Sequence, residues 1–124
     1  MERSMELCRS ILLKLAAHEH GRAPKDMTIE GYNEEQIGYH CYLLHQAELI
    51  HGLDVTSNGH LSPCFLPIQL TWAGHDFLDA AKTPSVWRAA MDKTFGVGLS
   101  VSTAVLKQLL ESLIRDQLGL KVVA

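Results

Sequence analysis

Residues 33–50 read NEEQIGYHCYLLHQAELI. Whether this stretch is a helix, and what its outer face carries, governs the reading of the whole chain. Asn33 is a good acceptor for the free N–H groups of a first turn, and Glu34 and Glu35 suit the positive end of a helix. Ile37, Cys41, Leu44 and Ala47 recur at helical spacing and form the expected core stripe. Glu35, Gln36, Tyr39, Tyr42, Leu43 and Gln46 then share the exposed face. The pattern stops near Glu48 or Leu49. The stretch holds three glutamates and neither Lys nor Arg.

Upstream, Cys8, Ile11, Leu12 and Leu15 place a helix over Met5 to about Ala17, with Ser4 as N-cap and Gly21 and Pro24 as its stop. Met27 to Glu30 is a short strand candidate, with β-branched Thr28 and Ile29. Downstream, residues 50–57 and 64–70 read as a hairpin, with Asn58-Gly59 as a two-residue turn signal. Pro67 cannot donate to a ladder and predicts an edge or a bulge. Thr71 caps a third helix, WAGHDFLDAA, with Phe77, Leu78 and Ala81 inward. Thr83 and Pro84 open a fourth helix running to about Phe95, on which Trp87, Ala90 and Met91 share a face. Ser102 or Thr103 opens a last helix ending at Gly119.

Helix, short strand, helix, hairpin and further helices describe an α+β chain with a winged helix-turn-helix core. We expect the core over residues 1–82 and a C-terminal helical extension over 83–124, together one compact domain. The apolar fraction of 47% and charged fraction of 20% are ordinary for a globular chain. No apolar run is long enough for a membrane span. The opening MERSMELCRS does not read as a signal peptide, so the cytoplasm is the expected compartment. Cys8, Cys41 and Cys64 are few and far apart and read as small buried hydrophobes.

Charge is the most informative property. The chain has 11 Lys and Arg against 14 Asp and Glu. Between Lys25 and Lys82 there is no Lys or Arg. Residues 26–81 carry Asp26, Glu30, Glu34, Glu35, Glu48, Asp54, Asp76 and Asp79, a formal charge of −8. The rest, with 11 basic and six acidic residues, carries +5.

The segment YHCYLLHQAELI, a hairpin, and LTWAGHDFLDA resemble many bacterial winged-helix regulators, in which Leu-Thr-x-x-Gly opens the helix after the wing. Over residues 4 to 120 the chain more closely resembles an uncharacterised family of small prophage-associated proteins. The shared segments are MELCRSILL, IEGY, the Tyr-His of the second helix and LTWAGHDFLD. That resemblance implies a fold and a phage context, and no activity. Glu48 departs from it, since a glycine is usual there and would serve a left-handed cap, so the resemblance implies a cap that is strained or differently built.

A winged helix that reads DNA presents its second helix to base edges and its wing to phosphate, and Lys and Arg supply most of the affinity. Gln36 and Gln46 could contact adenine, but Glu34 and Glu35 would repel phosphate. The expected role is therefore non-enzymatic. It is an interaction module that engages a protein through Glu34, Glu35, Gln36, Tyr39, Tyr42, Leu43 and Gln46. Its partner would be a basic nucleic-acid-binding complex, such as a host defence complex that it inhibits. The tyrosines could instead pack on the protein itself. The alternative role is a DNA-binding transcriptional regulator acting as a dimer, using basic residues such as Arg3, Arg9, Lys14, Lys82, Arg88, Lys93 and Lys107.

No cofactor, metal or catalytic residue is expected. His18-Glu19-His20 does not share a helix face, and Cys41 belongs to the core stripe. On the last helix Leu106, Leu109, Leu110, Leu113 and Ile114 form a broad stripe, which by analogy suggests a homodimer.

Overall fold

The computed structural model describes residues 1–18, 20–21 and 27–119. The described residues form an α+β arrangement of five α-helices and a two-stranded antiparallel sheet. It divides into two compact units, Met1–Leu78 and Asp79–Ala124. The division falls inside the third helix rather than after Lys82.

In the first unit, α1 spans Met5–Ala17. Ser4 caps it, its Oγ accepting from Leu7 N–H at 3.2 Å. Met5, Leu7, Cys8, Ile11, Leu12 and Leu15 are buried. No strand forms at 27–30. The Ile29 carbonyl instead accepts from Tyr32 N–H in a turn. The physical reason is pairing: a strand needs a neighbour, and among the described residues the sheet consists of the two hairpin strands alone.

α2 spans Glu34–Gln46 and starts with a complete capping box. Asn33 Oδ1 accepts from Gln36 N–H at 2.9 Å, and Gln36 Oε1 accepts from Asn33 N–H at 3.0 Å. Ile37, Gly38, His40, Cys41 and Leu44 face inward. Ala47, expected in the stripe, lies past the last turn and is exposed. The helix ends two residues earlier than its apolar pattern. Glu48 takes φ 62°, the one positive φ at a non-glycine residue among the described residues. The departure from glycine at this cap is thus a real backbone strain.

β1 (Ile50–Asp54) and β2 (Phe65–Leu70) pair antiparallel. The register slips between His51 and Gly52, so the bulge expected from Pro67 is present, with Pro67 opposite Gly52. Asn58-Gly59 is not the hairpin's two-residue turn. The ladder stops at Val55 and Cys64, and residues 56–63 form a longer loop closed by His60 N–H to the Ser57 carbonyl. Thr56 ends the ladder by using its hydroxyl twice on Cys64: Oγ1 donates to the carbonyl at 3.2 Å and accepts from the N–H at 2.8 Å. α1 packs on α2 and β2, and α2 packs on both strands.

α3 spans Trp72–Ala81. Thr71 caps it, Oγ1 accepting from Gly74 N–H at 2.9 Å while donating to the Glu48 carbonyl at 2.7 Å. Gly74 allows this close seat, since a Cβ there would run into the Leu49 carbonyl oxygen. Phe77 and Leu78 are buried as expected.

The second unit holds α4 (Pro84–Lys93), a 3₁₀ turn (Phe95–Val97) and α5 (Thr103–Gln117). Buried Thr94 ends α4, its hydroxyl donating to the Ala90 carbonyl at 2.8 Å. α4 therefore stops short of Phe95. Ser102 caps α5, and Glu111 lies between Lys107 and Arg115 at 3.8 and 3.5 Å. No helix among the described residues is long and apolar enough to cross a membrane.

One buried polar side chain joins α1 to α2. His40 is 2% exposed. Its Nε2 accepts from Ser4 N–H at 2.8 Å, and its Nδ1 lies 2.8 Å from the Gln36 carbonyl. Both bonds are made only by the neutral Nδ1–H tautomer. Burial lowers the pKa, against a smaller opposing effect from the Gln36 bond. A depressed folded-state pKa gives stability that is whole above the unfolded value of about 6.5 and is lost on acidification below it. His40→Phe should cost about 1–3 kcal/mol at neutral pH by leaving Ser4 N–H unpaired. It should also flatten the acid limb of a urea-unfolding series between pH 7.5 and 5. A limb equally steep in the variant would show that His40 is not its cause.

Candidate interaction surface

The outer face of α2 and the hairpin loop form the most distinctive surface of the first unit. Glu34 and Glu35 are exposed on the first turn. Gln36 is half-buried because its side chain closes the capping box. Tyr39, Tyr42 and Leu43, expected to be exposed, are half-buried. The two phenol rings stack at 6.4 Å between centroids, and Tyr39 also sets its ring edge-on to His40 at 5.8 Å. Exposed Gln46 donates to the Tyr42 hydroxyl at 3.1 Å. Tyr39, Tyr42 and Gln46 thus form a ladder of mutually engaged side chains, less free than three separate contact residues. Further along, His45 stacks on buried Phe65 of β2 at 4.3 Å and ties the last turn to the sheet.

The loop from Gly59 to Cys64 folds back on the start of α2. Ser62 Oγ donates to Glu35 Oε1 at 2.8 Å. Between them lies a cleft of about 460 Å³ lined by Glu34, Glu35, His60, Leu61, Ser62 and Cys64. Leu61 stands at its rim 95% exposed. Sequence reasoning missed this cleft because it assigned the loop to a tight turn. The signal that could have found it is Gly38, a glycine inside a helix. A Cβ at Gly38 would sit 2.8 Å from Cys64 Sγ, so the absent side chain is what admits the loop.

The cysteines scattered in sequence converge here. Cys41 is held by burial at a pKa of about 12, with Cys8 and Cys64 near enough to add to the rise. Cys8 is likewise pushed to about 12 by burial, partly offset by Arg3. Cys64 is raised by burial, then by Asp54 and Glu34. All three are free thiols. Such thiols hold little thiolate at neutral pH and are weak nucleophiles. Asp54 is pulled the other way, first by the Thr56 side chain and then by Thr56 N–H, from which its carboxylate accepts at 2.9 Å.

Among the described residues of the first unit, Lys and Arg occur only as Arg3, Arg9 and Lys14, on α1 or just before it. α2, the hairpin and the first turns of α3 carry none. Among the described residues no group of three or more His, Cys, Asp or Glu is placed to hold a metal. Of His18-Glu19-His20, Glu19 lies outside the described residues, and the two rings meet edge-on at 5.9 Å. On α5, Leu106 and Leu110 are covered by the chain itself and cannot meet a second copy. Leu109, Leu113 and Ile114 are half-buried.

Comparison with known proteins places this architecture in a sequence family. Residues 2–100 match the model of the family described as "Hypothetical protein (DUF2513)". A protein of Haemophilus influenzae, named there "Uncharacterized protein", is 33% identical over 122 residues, covering 96% of this chain and 100% of the relative. No solved structure matches the chain.

The seat of the loop on α2 is testable by a double-mutant cycle. Alanine is a better helix former than glycine by about 1 kcal/mol. In the native background Gly38→Ala should nevertheless destabilise, because its Cβ meets Cys64 Sγ. In a Cys64→Ala background the same change should stabilise. Unfolding free energies should therefore be non-additive by about 1 kcal/mol or more. Additive values would mean that the loop yields freely at this contact.

Proposed function

We propose that this chain, which belongs to the DUF2513 family, is a non-enzymatic protein-interaction module of phage or prophage origin. In this reading its core is a winged helix whose hairpin and second helix have been turned from DNA to protein. The observation that carries the reading is the cleft between α2 and the loop. Two exposed glutamates line it, an almost bare leucine stands at its rim, and no cation lies on the surrounding elements. A basic protein surface bearing an apolar side chain fits both properties. A nucleic-acid-binding complex of the host, its groove occupied by this acidic surface, is the partner class proposed. Phosphate contacts on the same face would have to be made without Lys or Arg, which supply most of such affinity.

The order helix, helix, hairpin, helix also supports the second reading, a transcriptional regulator acting as a dimer. Arg3, Arg9, Lys14, Lys82, Arg88, Lys93 and Lys107 are the cations it would use. Fluorescence anisotropy against random duplex DNA at about 50 and 200 mM salt separates the two. The interaction reading expects no binding at either salt. Tight binding that falls steeply with salt would replace it with the regulator reading. For the protein partner, Glu34→Lys with Glu35→Lys should abolish co-purification with basic host complexes, and unchanged co-purification would sink the acidic-cleft reading.

Either reading accommodates a homodimer through Leu109, Leu113 and Ile114 of α5. Light scattering at micromolar concentration should then give twice the 13.8 kDa chain mass. A monomer mass would remove the dimer.

A further inference from the structure

Trp72 is the first residue of α3 and is 84% exposed, although tryptophan is among the side chains with most to gain from burial. Its surroundings are acidic. Asp76, also exposed, follows one turn later, at the i, i+4 spacing that puts two side chains on one helix face. The backbone of exposed Glu48 is joined to the residue before Trp72, its carbonyl accepting from the Thr71 hydroxyl at 2.7 Å. No Lys or Arg occurs from residue 27 to residue 78.

We propose that Trp72, Asp76 and Glu48 form an arginine-binding contact for a basic partner protein, at the opposite end of α2 from the cleft. An indole face attracts a guanidinium by stacking and by its quadrupole, while a neighbouring carboxylate accepts the guanidinium N–H groups. Lysine fits less well, because its ammonium is a strongly hydrated point charge with no plane to stack. The positive end of α3 opposes a cation at Trp72. The two carboxylates must therefore supply part of the attraction, and both belong to the site. Glu34 and Glu48 bracket α2, roughly 20 Å apart at 1.5 Å per helical residue, so the two contacts are separate points on one partner. The identity of that partner as a basic protein rests on the reading proposed above. The arginine contact itself does not.

The test uses the full chain and an amidated tri-arginine peptide, with tri-lysine as comparison, at low ionic strength. The chain has two tryptophans, and Trp87 is 4% exposed. Acrylamide quenching therefore reports Trp72. Tri-arginine should protect Trp72 and bind more tightly than tri-lysine by roughly threefold, the size of an exposed cation–π contact. By calorimetry, Trp72→Ala should erase that preference, and Asp76→Asn and Glu48→Gln should each weaken tri-arginine. Far-UV circular dichroism confirms that these surface variants fold. Equal binding of the two peptides, or tri-arginine affinity unmoved by Asp76→Asn with Glu48→Gln, overturns the proposal. Glu34→Lys with Glu35→Lys should leave the Trp72 response intact. Its loss there would assign the peptide to the cleft and overturn this site while leaving the cleft reading standing. An intact Trp72 response alongside unchanged partner co-purification in that variant would do the reverse.

Discussion

His40 joins two backbone groups that belong to different helices: the Ser4 N–H at the start of α1 and the Gln36 carbonyl within α2. The second bond fixes the ring against its own helix, so the first fixes how α2 is rotated about its axis. With His40 turned toward α1, Ile37, Cys41 and Leu44 point into the core. Gly38 is then free to receive the loop, and Glu34, Glu35 and Gln46 are left to solvent. Successive helical residues are about 100° apart, so a slip of one position would bury a glutamate or expose the cysteine. The composition of the outer surface is thus decided by a contact on the inner one. That contact needs an uncharged imidazole with its proton on Nδ1.

Local chemistry was readable at four of the five expected helix caps; Thr83, the fifth, opens α4 without a side-chain cap bond. Asn33, Thr71, Ser4 and Ser102 cap helices because their side-chain oxygens reach nearby N–H groups, and each does so in the structure. Glu48 could be identified in advance as a misfit, and it bears the positive φ. What the residues could not disclose were partnerships across the chain. Asn58-Gly59 is an equally good turn in a two-residue hairpin or in a longer loop. Thr56 chose the second outcome by capping the ladder at Cys64. Met27–Glu30 has the composition of a strand and lacks one to pair with. Tyr39 and Tyr42 sit at exposed positions of a helical wheel, yet stacking half-buries them. The wheel places Cα positions and says nothing of rings that lie down along the surface.

The same limit governed the candidate site. The glutamates at 34 and 35 were visible, and the cleft they line was not, because its other wall comes from residues 59–64. Only a glycine in mid-helix hinted that something approaches α2 closely. The convergence of Cys8, Cys41 and Cys64 had no signal in spacing at all. Its consequence is weak nucleophilicity, since burial pushes all three thiols upward and, for Cys41, the neighbouring Cys8 and Cys64 add to the rise.

Not every carboxylate on this surface carries the same weight. Glu34 and Glu35 occupy the first turn of α2, where negative charge stabilises a helix whatever the protein does. Asp54 is engaged by Thr56 N–H. Their charge is explained by the fold, and at the cleft it is the shape and the bare Leu61 that ask for an occupant. Glu48 and Asp76 differ. Glu48 holds a backbone conformation that a glycine would adopt without strain, and Asp76 lies beyond the first turn of α3, where the dipole's reward has faded. Asp76 lies one turn from a tryptophan left in water at the cost of its burial energy, and the Glu48 backbone is joined to the residue before that tryptophan. Two residues that cost the isolated fold something, with a third that gains it nothing, are more informative than a larger number that help it.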